Sequence, residues 1–150
     1  MRIVIQRVSS ASVLIEKTVY SNINKGLLIL LGIGEGDDEL DADWLCQKII
    51  SLRIFNDAED KMNLALTDLD SDLMVVSQFT LFASTAKGNR PSFTKAAHPS
   101  VAIPLYEYFI QKLETLTQKS IATGRFGTDM QISLINDGPV TIFIDSKVKE

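Results

Sequence analysis

Few side chains in this sequence are equipped for covalent chemistry. A side-chain nucleophile needs a base beside it, and the alternative is a metal-bound water. The chain offers one histidine, His98, and one cysteine, Cys46. His98 stands between Ala97 and Pro99 in a polar loop, where surface histidine is the ordinary reading and a catalytic base the rarer one. The patterns HExxH, CxxC, GxSxG and GxxxxGK[ST] are missing. The acids Asp37 and Asp38, and Asp57 and Glu59, fall in expected turns and helix starts, where carboxylates are common. An enzyme with this sequence must work without a side-chain triad, and no metal or cofactor is expected.

Two segments stand out. Ser77-Gln78-Phe79-Thr80-Leu81 closes a buried apolar run with polar side chains where a strand should surface. In open α/β sheets, ligands sit beyond the carboxyl ends of strands; the same residues also suit a Ser/Thr turn leaving the core. The second segment, Asn136-Asp137-Gly138-Pro139, has the composition of a hairpin turn.

The elements that must position these segments are legible from periodicity. Ile3 and Ile5, then Val13 and Ile15, suggest two early strands joined through Ser9-Ser10-Ala11-Ser12. Val19 to Ile23 suggests a third, turning at Asn24-Lys25-Gly26 into Leu27 to Ile33, which is apolar on both faces. A helix capped by Asp37 or Asp38 follows, with Leu40, Trp44, Leu45, Ile49 and Leu52 at helical spacing and Arg53 in its last turn. Leu73 to Phe79 reads as another buried strand. A second helix is expected with Pro104 in its first turn and Leu105, Tyr106, Phe109, Leu113 and Leu116 as its apolar stripe. Met130 to Ile135 and Val140 to Ile144 are the closing strands. The class is α/β with a mixed, largely antiparallel sheet and two main helices, in one domain spanning 1–150.

Composition narrows the partners. Apolar residues make up 45% and charged residues 23% of the chain, a globular balance, and no apolar run approaches the length of a membrane helix. A lone cysteine and a strand-like N-terminus favour the cytoplasm and no membrane. The net charge of −4 disfavours wrapping DNA or RNA through many phosphates, yet allows a grip on an RNA end. Lys87, Arg90 and Lys95 make either a local basic edge or a solvated loop.

With SQFTL at 77–81 and NDGPVT at 136–141, the sequence resembles the D-aminoacyl-tRNA deacylase family. The likeness extends through IQRV at 5–8, GLLILLG at 26–32, RIFND at 53–57, KMN at 61–63, GNRPSF at 88–93 and TGRFG at 123–127, in the family's order. It implies an intertwined homodimer with active sites at the subunit interface. It also implies cofactor-free hydrolysis of the ester joining a D-amino acid, or glycine, to the terminal adenosine of tRNA. By the same resemblance, Gly138 and Pro139 form a cis peptide that enters the partner's pocket as a chiral filter, and Arg7 holds that loop. Phe126 and Met130 would line the adenine pocket. By spacing alone Arg7 reads equally as a surface charge, and Phe126 and Met130 as core.

On this reading Ser77, Gln78 and Phe79 supply main-chain donors to the oxyanion, Thr80 is the rival nucleophile, and the ribose 2′-hydroxyl activates water. Arg90, Lys95 and Arg125 are candidate phosphate contacts. Two other readings are an RNA-end-binding module without catalysis, and an esterase using Thr80 or Ser77 with His98.

Overall fold

The computed structural model describes residues 1–149, so Glu150, the last residue of the expected unit, lies outside the described residues. The first strand, β1, runs without a break through Arg2–Ile15. The serine-rich stretch expected to join two strands is therefore strand itself. The apolar alternation changes phase there instead. Ile3 and Ile5 feed the core beneath the helices, whereas Val8, Ala11, Val13 and Ile15 feed a second core. A bulge near Val8 to Ser10, where pairing with the neighbouring strand slips, produces that change of face.

Glu16 and Lys17, both at positive φ (51° and 63°), turn the chain into β2 (Thr18–Ile23). β3 (Gly26–Gly32) continues the same antiparallel ladder along β1, from Val8 opposite Gly26 to Arg2 opposite Gly32. α1 (Glu39–Ser51), then the small antiparallel pair β4 (Phe55–Asn56) and β5 (Met62–Leu64), lead to β6 (Asp72–Ser77), which lies parallel to β3. Gly26 permits this crossing, because a Cβ there would lie 2.0 Å from the Asp72 carbonyl oxygen. α2 (Pro99–Thr117) then connects β6 to β7 (Ala122–Thr123), parallel to β6.

The last strand, β8 (Gln131–Asp145), lies antiparallel along the other edge of β1, from Leu14 opposite Gln131 to Arg2 opposite Asp145. This corrects the expectation of two closing strands about a hairpin turn. Asn136 to Pro139 is a bulge within one strand; the chain does not reverse, because both flanks stay paired with β1. The six-stranded sheet is mixed and mostly antiparallel, with two main helices, as expected. It curls until β2 meets β7, where the Ser21 hydroxyl donates to the Thr123 carbonyl at 2.6 Å.

Of the two expected caps of α1 the structure uses Asp38, and the helix ends differ from expectation in two places, at Arg53 and Pro104. Asp38 is the cap of α1, accepting from Leu40 and Asp41 N–H at 3.0 and 3.2 Å, while the Asp41 carboxylate accepts the Asp38 N–H at 3.0 Å. Asp37 instead binds the Met1 ammonium (2.5 Å) and the Gly34 N–H (2.6 Å). α1 stops at Ser51, so Arg53 lies beyond its last turn and donates to the Asn63 carbonyl at 2.7 Å. α2 starts at Pro99, leaving Pro104 inside the helix. The cap is His98, whose Nδ1 accepts the Ser100 N–H at 3.3 Å.

Both helices pack on one face of the sheet through Ala42, Leu45 and Ile49 of α1 and Tyr106, Phe109 and Leu113 of α2. Leu40, expected in the α1 stripe, is exposed. Among the described residues, no helix is long and apolar enough to cross a membrane.

Candidate active site

β6 leaves the sheet at Ser77, and the Gln78 N–H completes the ladder by donating to the Leu31 carbonyl at 2.7 Å. Gln78 is thus committed to the sheet and does not offer the main-chain donor expected of it. A 3-10 turn follows at Phe79–Phe82, closed by Leu81 N–H donating to Gln78 O (3.2 Å) and Ala83 N–H to Thr80 O (3.0 Å). The first N–H groups of such a turn have no partner within it. Among the described residues, those of Phe79 and Thr80 have none elsewhere either. The Gln78 side-chain amide donates to the Thr80 hydroxyl. Phe79 is 57% exposed and packs edge-to-face with Phe93, ring centroids 5.1 Å apart.

Beside this turn opens a cleft of about 430 Å³, lined by Ser77, Gln78, Phe79, Phe126, Met130 and Ile132 among others. Residues from β6, from the segment between β7 and β8, and from the start of β8 therefore line one cleft. Gly124 lets the last two approach, since a Cβ there would sit 2.5 Å from the Met130 sulfur. Tyr106 supports Phe126, its ring 5.8 Å away and its hydroxyl donating to the Val75 carbonyl at 2.9 Å. Burial pushes the Tyr106 hydroxyl well above the usual phenol range, so it stays a donor.

Thr80 does not line the cleft, and neither does His98. Cys46 is buried between the helices, donates to the Phe109 carbonyl, and burial, then the nearby Asp43 carboxylate, pushes its thiol up to about 12. Such a thiol is no nucleophile at neutral pH. Among the described residues no three His, Cys, Asp or Glu side chains gather as a metal site would require.

Gly138, Pro139 and Arg7 form a second constellation away from this cleft. The Gly138–Pro139 peptide is cis. Arg7 is buried, and its guanidinium donates to the carbonyls of Asp137 (3.0 Å) and Ile54 (2.6 Å) and to the Asn56 side chain (3.1 Å). The Asp137 carboxylate adds an ion pair at 3.4 Å. Asn136 closes the bulge, accepting the Val140 N–H at 2.8 Å and donating to the Thr141 hydroxyl at 2.9 Å. Ile132 lines the cleft and lies six residues before Gly138 in the same strand, roughly 20 Å at the usual strand rise.

The sequence profile of the family described as D-Tyr-tRNA(Tyr) deacylase matches residues 4–145. The chain belongs to that family. Proteins named D-aminoacyl-tRNA deacylase are similar to it at full length. That of Flavobacterium psychrophilum is 57% identical with all of both chains covered. That of Cytophaga hutchinsonii is 60% identical with 98% of both covered. Among solved structures, one named c-Myc DNA Unwinding Element Binding Protein is 36% identical, covers 97% of this chain and 98% of that one, and superposes with a TM-score of 0.91. Another, described as a probable eukaryotic D-amino acid tRNA deacylase, shares the fold at a TM-score of 0.80 and 15% identity, covering 95% and 97%.

Several parts of the candidate site escaped sequence reasoning. Asn56, Ile54 and Asp137 anchor Arg7, yet nothing in their spacing from position 7 announces it. Phe93 packs on Phe79 from a loop without periodicity, and Tyr106 supports Phe126 from a helix whose periodicity says only core. The unpaired Phe79 and Thr80 N–H groups had one legible signal, the Ser/Thr turn at the strand end.

Proposed function

We propose that this protein hydrolyses D-aminoacyl-tRNA to the free D-amino acid and tRNA, and spares the L ester. The observation that carries the reading is the pair of unpaired main-chain N–H groups, Phe79 and Thr80, beside a cleft walled by Phe126 and Met130. An aromatic face and a soft thioether suit a stacked adenine. The two N–H groups suit an ester carbonyl turning tetrahedral, and one preorganised donor of this kind is worth roughly 3–4 kcal/mol of barrier.

The chemistry then needs no side-chain nucleophile. Water adds to the ester carbonyl carbon, and the negative charge forming on the carbonyl oxygen rests on the Phe79 and Thr80 N–H groups. The neighbouring ribose 2′-hydroxyl takes the water proton and relays one to the departing 3′-oxygen, so the C–O bond breaks to give a free amino acid and an intact tRNA end. Ser77 and Gln78 shape the site; Thr80 contributes its backbone and not its hydroxyl.

Chirality is read by a second subunit. Gly138 and Pro139 lie six and seven residues along β8 from Ile132 of their own cleft, which supports a symmetric dimer in which the partner's copy reaches it. The carbonyls of this wall would accept hydrogen bonds from the substrate ammonium, leaving a D side chain to point outward and an L side chain to collide. Rejection by clash gives selectivity that attraction alone does not. Glycine, lacking a side chain, meets no clash and is accepted.

Similarity to a protein named for binding a DNA unwinding element, at 36% identity, favours a second reading, duplex DNA binding. A net charge of −4 opposes it. Release of labelled D-tyrosine from D-Tyr-tRNA, measured beside binding of a DNA duplex, separates the two. Catalytic release without duplex binding supports the deacylase; duplex binding without release overturns it.

A further inference from the structure

Tyr20 carries the only aromatic ring on β2, in the otherwise non-aromatic run Thr18–Ile23. The ring is 44% exposed, and the Arg125 guanidinium carbon stands over it, 5.2 Å from the centroid. Arg125 makes no ion pair among the described residues. Neither residue lines the cleft, but two features tie their segments to it. The Ser21 hydroxyl ties β2 to the Thr123 carbonyl at 2.6 Å, and Phe126, the residue after Arg125, lines the cleft itself.

A half-exposed aromatic ring with a guanidinium over one face, a cation that makes no ion pair among the described residues, is suited to stack a base and meet its phosphate. Here Arg125 immediately precedes Phe126, in the wall suited to adenine. We infer that Tyr20 and Arg125 form a second nucleotide subsite, which stacks the base preceding the terminal adenosine and holds the phosphate between the two. The inference rests on the reading of the cleft as the terminal adenosine site. On a chain of net charge −4, a cation placed here draws the last two nucleotides of the RNA in preference to its body.

The test is a titration of the full-length protein with the dinucleotide cytidylyl-(3′,5′)-adenosine and, separately, with adenosine, read by chemical-shift changes. The wild type should bind the dinucleotide more tightly than adenosine. Tyr20→Ala should weaken dinucleotide binding by roughly 5- to 100-fold, the usual effect of removing one stacked base, and leave adenosine binding as it was. Tyr20→Phe should retain the preference, and Arg125→Ala should reduce its dependence on salt. In turnover, Tyr20→Ala should raise KM for D-Tyr-tRNA and leave D-tyrosyl-adenosine unaffected. Equal weakening of both ligands, or no weakening, would overturn the subsite. A wild type that prefers the dinucleotide but releases no D-tyrosine would uphold the subsite and defeat the deacylase reading.

Discussion

Gly138 is held at φ +131°, and a Cβ there would sit 2.9 Å from both the Arg7 guanidinium and the Val140 side chain. Gly138→Ala should therefore displace the Arg7 anchor, cost about 1–3 kcal/mol of stability in urea unfolding, and lower D-Tyr-tRNA turnover at least about tenfold. Wild-type turnover in that variant would contradict the filter. Thr80 gives the opposite expectation, since its hydroxyl is held by the Gln78 side-chain amide. Thr80→Ala should keep turnover within about tenfold, whereas abolition with the fold intact would make Thr80 the nucleophile. Asp41 tests the fold and not the chemistry. Burial alone would raise its carboxyl, but Lys147 at 2.6 Å and the Asp38 N–H bring it from 3.8 to about 2. A group depressed on folding stabilises above its unfolded value, and loses that contribution as pH falls through the folded one. Urea unfolding should thus lose on the order of 2 kcal/mol between pH 5 and pH 2, and Asp41→Asn should lose correspondingly less over the same window.

At the scale of elements, His98 is a helix cap. His98→Ala should destabilise by about 0.5–2 kcal/mol and leave the turnover number within about twofold, with His98→Ser restoring stability. Collapse of turnover would return the imidazole to the chemistry. The same helix shows why some boundaries were illegible in the sequence. Pro99 and Pro104 both qualify as a first-turn proline, and only the Nδ1 contact to Ser100 decides between them. β1 hid its continuity for a related reason. Its alternation changes phase at a bulge, which in sequence looks like a strand ending and another beginning. The turn at Glu16 and Lys17 takes positive φ without glycine or asparagine, so its usual signal was missing. Helix cores were plain because burial on one face imposes periodicity, and β3 and β6 because burial on both faces leaves an unbroken apolar run. Of the candidate site, SQFTL was readable as a strand end with polar cargo. NDGPVT was not readable as a bulge, because long-range pairing with β1 decides that.

For the whole molecule, the two constellations belong to one reaction only if a second copy is present. β8 is an edge strand of 15 residues, paired to β1 alone, with Ile135 and Phe143 62% and 57% exposed. Long edges with apolar side chains are normally covered. The protein should sediment as a dimer, and specific activity should fall on dilution as subunits part. Ile135→Lys should favour a folded monomer without turnover; an active monomer would remove the need for a filter in trans. The most direct single measurement is hydrolysis of D-Tyr-tRNA beside L-Tyr-tRNA by the dimer at catalytic concentration. Rapid release of D-tyrosine is expected, while the L ester decays no faster than in buffer. Equal release of both would contradict the Gly138–Pro139 filter, and release of neither would contradict the deacylase.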